Sequence, residues 1–139
     1  MKQYRKNVNY FSSSHLVFKC SYHVIICPKY RHKILIGKVS DRLKEIILSI
    51  AKTHDFVIEQ VETDRDHIHM IISCNPRYGI MKCISSIKSI SAYVLFKEFP
   101  LLKKKYFWCG HLWSRSSFVA TTGSVSLEVV KEYIENQGK

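Results

Sequence analysis

Apolar residues recur along the chain at two spacings, one typical of strands and the other typical of helices. Segments rich in Val, Ile, Phe and Tyr, or with apolar and polar residues in alternation, predict strands. Apolar residues at every third or fourth position predict amphipathic helices. In chain order we predict a strand at 16–27, a helix at 40–53, strands at 56–63 and 67–74, a helix at 80–99, a strand at 118–121 and a helix that ends near Gln137.

This order of elements, β-α-β-β-α-β-α, predicts an α+β fold in a single domain over residues 1–139. It indicates a ferredoxin-like, or RRM-like, sandwich in which two helices cover one face of a small sheet, followed by a C-terminal helix. The other face of the sheet would be free for a ligand. We expect residues 1–10, which are polar and basic, to form a loose arm, and Ser40 to cap the first helix.

The composition adds a strong positive charge to this picture. The 139 residues include 22 Lys and Arg against 11 Asp and Glu, which gives a formal net charge of +11. A hydrophobic fraction of 46% is sufficient for a folded core and argues against disorder. A polyanion such as a nucleic acid is therefore the first candidate partner. The alternative is a solvated basic surface that binds nothing in particular.

Two other features of the sequence exclude further classes of protein. No apolar run approaches the ~20 residues that a membrane-spanning helix needs, and no apolar segment typical of a signal peptide follows the basic N-terminus. The five cysteines are an odd number without a CxxC pair, which argues against a disulfide framework and a closed zinc site. We therefore expect a protein of the reducing cytoplasm that has no contact with a membrane.

The segment Asp66-His67-Ile68-His69 carries the clearest candidate site. Side chains alternate along a strand, so His67 and His69 share one face while Ile68 and Met70 share the other. At a rise of ~3.3 Å per residue, the Cα atoms of the two histidines lie about 6.6 Å apart, which allows both imidazoles to bind one metal ion. The alternative is a pair of half-exposed histidines with structural hydrogen bonds only.

The last predicted helix carries a tyrosine and a glutamine one turn apart. Val129, Tyr133 and Gln137 follow one another at intervals of four residues and therefore share a helix face. The side-chain oxygen of a glutamine can bind a metal as a neutral ligand. A phenol can act as a covalent nucleophile when a metal or a base stabilises its oxyanion. The alternative role of Tyr133 is packing beside the apolar stripe of the helix.

Four motifs form a specific combination in this order and in a chain of this length. They are Cys27-Pro28-Lys29-Tyr30-Arg31, then Asp66-His67-Ile68-His69, then Trp113 with Ser116-Ser117-Phe118-Val119 and Thr121-Thr122-Gly123, and finally Tyr133-Ile134-Glu135-Asn136-Gln137. Together they resemble the single-tyrosine HUH transposases, the small TnpA-type enzymes that move insertion sequences as single-stranded DNA. The resemblance extends over almost the whole chain.

The resemblance implies a DNA transposase with a tyrosine nucleophile and a metal site. His67, His69 and Gln137 would hold one divalent ion, Mg²⁺ or Mn²⁺, although this mixed ligand set would also accept Zn²⁺ or Ni²⁺. Tyr133 would attack the phosphorus of a single strand and leave a 5′-phosphotyrosine and a free 3′-OH. Attack of a 3′-OH on that linkage would rejoin the strand without ATP.

The resemblance also implies the partners of the enzyme. The DNA would carry hairpins near the ends of the insertion sequence, and the chain would act at the nucleoid in the cytoplasm of a prokaryotic cell. A homodimer is expected, in which the tyrosine helix of one subunit completes the histidine site of the other. We predict DNA contacts at Arg31, Arg77 and Lys82, and core positions for Phe107 and Trp113. The alternatives are a related tyrosine enzyme that acts on chromosomal repeats and a non-catalytic nucleic-acid-binding module.

Overall fold

The computed structural model describes residues 4–7, 10–13, 16–18, 20–122 and 127–136. The strands within these ranges are β1 (Tyr4–Asn7), β2 (Tyr10–Ser13), β3 (Leu16–Phe18), β4 (Ser21–Ile26), β5 (Val57–Asp64), β6 (His67–Ser73) and β7 (Phe118–Thr121). The helices are α1 (Gly37–His54), α2 (Ile80–Glu98), α3 (Pro100–Lys105) and α4 (Leu127–Asn136).

Four of the strands form an antiparallel sheet in the order β5-β6-β4-β7. β6 pairs with β5 across a turn at residues 65–66 and with β4 on its other side, where His69 lies opposite Ile25. β7 pairs with the outer side of β4 and sets Phe118 opposite Ile25. Because α1 connects β4 to β5 and α2 follows β6, the predicted α+β, RRM-like sandwich is confirmed.

One face of this sheet forms the main core with α1 and α2. Side chains alternate along β4 and β6, so Val24, Ile26, Ile68, Met70 and Ile72 all lie on this face, and all five are fully buried. Complete burial of one such side chain contributes about 1.5–3 kcal/mol. The helices contribute an apolar stripe to the same cluster, which includes Leu43, Ile46, Ile47 and Ile50 of α1 and Cys83, Ile84 and Ile87 of α2.

The first helix begins earlier than the sequence indicates. α1 starts at Gly37, so Ser40 lies inside the helix and does not cap it. Ser40 is buried, and its hydroxyl is hydrogen-bonded to the hydroxyl of Thr63 in β5 at 2.6 Å. The predicted cap is therefore wrong, because this serine uses its hydroxyl to join the helix to the sheet rather than to bind a free amide.

Residues 4–7 and 10–13 form strands, so the prediction of a loose arm is wrong for the described part of residues 1–10. β1, β2 and β3 form a separate three-stranded antiparallel sheet. Residues 16–18 belong to that sheet, and the four-stranded sheet begins only at Ser21. The predicted strand at 16–27 is thus two strands. Both contain the β-branched and aromatic residues that suit strands, and such a composition does not specify which sheet a strand joins.

α3 and the segment after it extend the core beyond α2. Phe107 is fully buried, and Trp113 is buried with its indole N–H donating to Ser91 Oγ of α2 at 2.9 Å. The predicted core positions of these two aromatic residues are confirmed. Lys88 of α2 donates to the carbonyl oxygens of residues 114–116 at 2.9, 3.3 and 3.3 Å, which fixes the segment that leads to β7.

The cysteines are free thiols, as the sequence predicts. Cys27, Cys74 and Cys83 are buried among apolar side chains, whereas Cys109 is exposed. In the part of the chain that the structure describes, no helix combines the length and the hydrophobicity needed to cross a membrane.

Candidate active site

The second face of the four-stranded sheet carries the predicted histidines. His67 and His69 of β6 lie on this face, together with His23 and Ile25 of β4 and Phe118 of β7. The alternation predicted along β6 is confirmed, since Ile68 between the histidines and Met70 after them are fully buried in the core. Paired central strands therefore hold the backbone of both histidines.

α4 packs on the apolar part of this face. Tyr133 and Ile134 contact the buried pair Ile25 and Cys27. The ring of Tyr133 also lies 4.7 Å from the ring of Phe118, centroid to centroid, at an interplanar angle of 43°. The predicted nucleophile and the two predicted histidine ligands therefore lie on the same face of the sheet within one chain.

His67 is oriented by a carboxylate. Its Nδ1 lies 3.0 Å from Asp66 Oδ1, and because a carboxylate accepts, Nδ1 carries the proton of this hydrogen bond. Burial acts to raise the pKa of Asp66. Its hydrogen bond with His67 and the nearby charge of Arg31 outweigh burial and hold that pKa below its ordinary value. Asp66 is thus a stable anion that fixes the tautomer of His67.

Arg31 links this carboxylate to α4. Its Nε and Nη2 lie 3.0 and 2.7 Å from Asp66 Oδ2, and its Nη1 donates to the carbonyl oxygen of Ile134 at 2.6 Å. One guanidinium thus joins the residue before His67 to the residue after Tyr133. These contacts lie within the chain, and the contact of Arg31 with DNA stays a prediction.

His69 forms a stacked pair with His23. The two rings lie 5.3 Å apart at an interplanar angle of 18°, and His23 Nδ1 is hydrogen-bonded to His69 Nε2 at 3.1 Å. Burial lowers the pKa of His69, with smaller contributions from the neighbouring histidines, while Glu62 acts in the opposite direction. His69 is therefore a neutral imidazole at neutral pH.

Sequence reasoning missed three polar residues of this face. His23 lies on β4, two residues from Ile25, while Glu62 and Asp64 of β5 lie opposite His69 and His67. The positions of the two carboxylates opposite the histidines could be inferred from the sequence, because the two-residue turn at 65–66 fixes the register of the hairpin. No signal for His23 was available, because strand pairing between β4 and β6 is not encoded locally.

The hydroxyl of Tyr133 is held in its protonated form. Burial raises the pKa of Tyr133, and a hydrogen bond with the side chain of Ser116 only partly opposes this effect. Ser116 belongs to the segment whose carbonyl groups receive hydrogen bonds from Lys88. A reaction at this hydroxyl therefore requires removal of its proton.

The described residues offer two imidazole donors to a divalent metal ion. Asp66 holds His67 through Nδ1, so Nε2 is the nitrogen left for a metal. Burial favours the neutral, metal-binding form of His69, whose Nε2 would exchange its hydrogen bond with His23 for the metal. Across the described ranges, no group of three or more His, Cys, Asp or Glu side chains is arranged to hold a metal. Gln137, the predicted third ligand, lies outside the described residues. The donor chemistry thus fits an ion held by two histidines and a further ligand.

The other two predicted DNA contacts lie at the opposite end of β6 from His67. Arg77 and Lys82 are exposed and flank the start of α2. Lys82 Nζ lies 5.8 Å from the ring centroid of Tyr78, so a cation and an aromatic ring adjoin each other there. The six-residue step from His67 to Ser73 spans roughly 20 Å. These residues therefore form a surface separate from the histidine pair.

Known proteins similar to this chain are transposases. The ISDra2 transposase TnpA of Deinococcus radiodurans is 36% identical over 121 residues, which cover 87% of this chain and 86% of that protein. The transposase for insertion sequence element IS200 of Salmonella typhimurium is 28% identical over 130 residues, which cover 91% of this chain and 82% of that protein.

Solved structures share the fold. A crystal structure of a Deinococcus radiodurans protein assigned as a transposase matches with a TM-score of 0.82 and 33% identity over 91% of this chain and 96% of that chain. The structure of a REP-associated tyrosine transposase bound to a REP hairpin matches with a TM-score of 0.55 and 13% identity over 97% of this chain and 69% of that chain, and it shows the fold alone. The family described as "Transposase IS200 like" matches residues 16–137. The chain belongs to this family of DNA transposases.

Proposed function

We propose that this transposase cleaves and rejoins single-stranded DNA, with the hydroxyl of Tyr133 as the nucleophile. Transposases of this family generally depend on a metal ion. We assign one divalent ion, Mg²⁺ or Mn²⁺, to His67, His69 and Gln137. The two described residues present imidazoles on one strand face, and Gln137, which follows α4 in the sequence, would offer an amide oxygen.

The observation that carries this proposal is the double contact of Arg31. Its guanidinium binds Asp66, which orients His67, and it also binds the backbone of α4 at Ile134, next to Tyr133. A tyrosine that served only to fill the core would need no such link to a histidine. The arrangement supports a common role for the tyrosine and the histidine pair.

The reaction exchanges one phosphate ester for another. Tyr133 Oη attacks the scissile phosphorus, and the bond from that phosphorus to the 3′ oxygen of the preceding nucleotide breaks. The phenol loses its proton, the departing oxygen gains one, and a 5′-phosphotyrosine and a 3′-OH result. A metal ion held by the histidines supplies Lewis-acid stabilisation of the charge on the phosphate oxygens. Attack of a 3′-OH on the phosphotyrosine reverses the exchange, so the ester energy is retained and no ATP is consumed.

The proposed substrate is hairpin-bearing single-stranded DNA at the ends of an insertion sequence. A formal net charge of +11 favours binding to the phosphate backbone. A protein of the same fold is described with a REP hairpin bound. The relatives named for insertion sequences are 36% and 28% identical to this chain, which favours insertion-sequence ends over chromosomal repeats. Arg77 and Lys82, beside the ring of Tyr78, are the proposed hairpin contacts.

Covalent capture tests the nucleophile. Incubation with Mn²⁺ or Mg²⁺ and a hairpin-bearing single strand from the flanks of the coding sequence is expected to give a protein–DNA adduct on a denaturing gel. The Tyr133→Phe variant should bind the strand but form no adduct. The matched control is Tyr93→Phe, because Tyr93 is an exposed tyrosine of α2. An adduct that survives in Tyr133→Phe would show that another residue is the nucleophile.

A homodimer with shared sites is also proposed, in which α4 of one subunit would serve the histidines of its partner. A mixture of His67→Ala and Tyr133→Phe proteins tests this arrangement. Recovery of adduct in the mixture is expected, since one combined site would contain both intact residues. If no adduct forms over a range of mixing ratios, the tyrosine serves only the histidines of its own chain, as α4 is docked here.

A further inference from the structure

A pocket of about 280 Å³ lies between the turn that follows β4 and the end of α3. It is smaller than most pockets for drug-sized ligands, which occupy ~300–1,000 Å³, so it suits a single flat ring system. Aromatic side chains form most of its wall. The lining residues are Tyr30, His32, Lys105, Tyr106, Trp108 and Cys109.

Two large rings at the mouth of this pocket are exposed to solvent. Tyr30 is 70% exposed and Trp108 is 82% exposed, although each adjoins well-packed structure. Tyr30 and Arg31 both have positive φ angles, of 62° and 49°. Left-handed backbone is uncommon for residues with large side chains. The turn therefore accepts an unfavourable conformation and holds the Tyr30 ring outward.

The back of the pocket is rigid. The ring of His32 lies 5.8 Å from Tyr30, 5.1 Å from Tyr106 and 5.3 Å from Phe107, measured between centroids. Phe107 is fully buried in the main core, so it anchors this group of rings. A flat ligand would thus meet fixed rings at the back of the pocket, and the exposed rings of Tyr30 and Trp108 would become ordered against it.

Positive charge surrounds the pocket. Lys29 Nζ lies 5.6 Å from the ring of Tyr30, and Lys105 Nζ lies 5.3 Å from the ring of Tyr106. None of the six residues that line it is acidic. Aromatic rings flanked by lysines match a ligand that combines a flat base with an adjoining phosphate.

The pocket is linked to the proposed active site by residues that adjoin in the sequence. Arg31 lies between Tyr30 and His32 in the sequence, and its guanidinium binds Asp66 beside His67. The same turn therefore directs one side chain toward the pocket and the next toward the histidines.

We propose that this pocket binds one unpaired base of the single-stranded DNA substrate, stacked against Tyr30 and Trp108, with Lys29 and Lys105 at the adjoining phosphates. This inference rests on the proposed function of strand cleavage. Its distinctive consequence is a preference of the free enzyme for strands that carry bases over strands that carry only the sugar–phosphate backbone.

The test compares two probes that have the same phosphates. One probe is a fluorescein-labelled thymidylate strand of about 20 nucleotides, and the other is an abasic strand of equal length. This length exceeds the ~4–16 nucleotides that one single-strand-binding fold covers. The wild-type protein should bind the thymidylate strand more tightly. Trp108→Ala and Tyr30→Ala should each weaken this binding about 5- to 150-fold, the range for loss of one base–aromatic contact, and leave abasic binding unchanged.

The matched control is Tyr93→Ala, which removes a ring that is 69% exposed on α2, away from the pocket. This variant should retain the wild-type preference. Thermal unfolding verifies that each variant is folded, and Trp108→Phe, which keeps a ring, should restore most of the affinity. The thymidylate strand should quench the tryptophan fluorescence, and the abasic strand should not. The quenched signal comes from Trp108, because Trp113 is only 7% exposed.

Three results would overturn the inference. If Trp108→Ala and Tyr30→Ala keep the preference while the wild-type protein still forms the covalent adduct, the pocket is wrong and strand cleavage stands. If the wild-type protein binds neither probe and forms no adduct, both proposals fail. If Trp108→Ala lowers self-association in sedimentation without changing base preference, the pocket is occupied by a second copy of the chain.

Discussion

The two faces of the four-stranded sheet are made by the same strands and differ in almost every physical property. On the helix-covered face, Ile68, Met70 and Ile72 are fully buried and have no polar group to satisfy. On the other face, His67 and His69 are half-buried and each is hydrogen-bonded to a polar neighbour. Each residue of β6 therefore belongs to one of two environments, according to its position in the alternation.

Because of this difference, neighbouring residues of one strand contribute either to the stability of the fold or to the chemistry of the site. The core face contributes the free energy of apolar burial, which depends on volume and shape and not on a particular functional group. The open face carries functional groups, and α4 covers part of it by docking on Ile25, Cys27 and Phe118. Substitutions on neighbouring residues of one strand should therefore give opposite phenotypes.

The largest effect is expected from such a neighbouring pair. His67→Ala should reduce adduct formation by more than about 100-fold, since it removes a proposed metal ligand, and should change the free energy of unfolding by about 1 kcal/mol or less. Ile68→Ala should destabilise the fold by roughly 2–5 kcal/mol, because it leaves a cavity in the core. Urea unfolding and gel quantification of the adduct measure the two effects. Equal losses of stability in both variants would contradict the separation of the faces.

A smaller effect is expected where the open face meets α4. Arg31→Met removes the bonds to Asp66 and to the backbone of Ile134 while keeping an apolar stem of similar length. Adduct formation should slow about 10- to 100-fold, the loss typical for residues that orient a metal ligand, because Asp66 would lose the arginine that holds it beside the proposed ligand His67. Amide hydrogen exchange in α4 should accelerate, since that helix would lose a tether. Unchanged exchange in α4 would show that the arginine does not hold the helix.

The smallest effect is expected far from either face, at the ion pair between Arg42 of α1 and Glu98 of α2. Arg42 Nε lies 2.7 Å from Glu98 Oε1, and the hydrogen bond from Arg42 lowers the pKa of Glu98. The pair should stabilise the fold fully above the ordinary pKa of a glutamate, about 4.3, and progressively less as pH falls through the lowered value. Arg42→Met should thus lower Tm slightly at pH 7, with adduct formation unchanged. A deficit in Tm that grows on acidification, or that resists high salt, would contradict this assignment.

The features that could be predicted from the sequence are those that depend on local spacing. The alternation of His67, Ile68, His69 and Met70 specifies which side chains enter the core, whatever strand lies beside them. The helical spacing in 80–99 likewise predicts α2, which ends one residue earlier at Glu98. The β-α-β-β-α-β order then limits the fold to few arrangements, because short connections place consecutive elements side by side.

The features that could not be predicted depend on contacts between distant segments. His23 joins His69 across 46 residues of sequence, and Arg31 reaches the backbone of Ile134 across 103 residues. Neither contact produces a periodic pattern in the sequence. The buried hydrogen bond of Ser40 to Thr63 is of the same kind, and it led to an incorrect helix cap because a serine serves either role.

The turn at Tyr30 and Arg31 has a consequence for where the DNA would be cut. Its two consecutive left-handed residues hold adjacent side chains in separate places, one at the aromatic pocket and one at Asp66. If a base lies against Tyr30 and a phosphate lies at His67, as proposed, the geometry of this turn would limit the number of nucleotides between them. The position of the cut would then depend on its distance from the stacked base, and not on the sequence of the nucleotides between them.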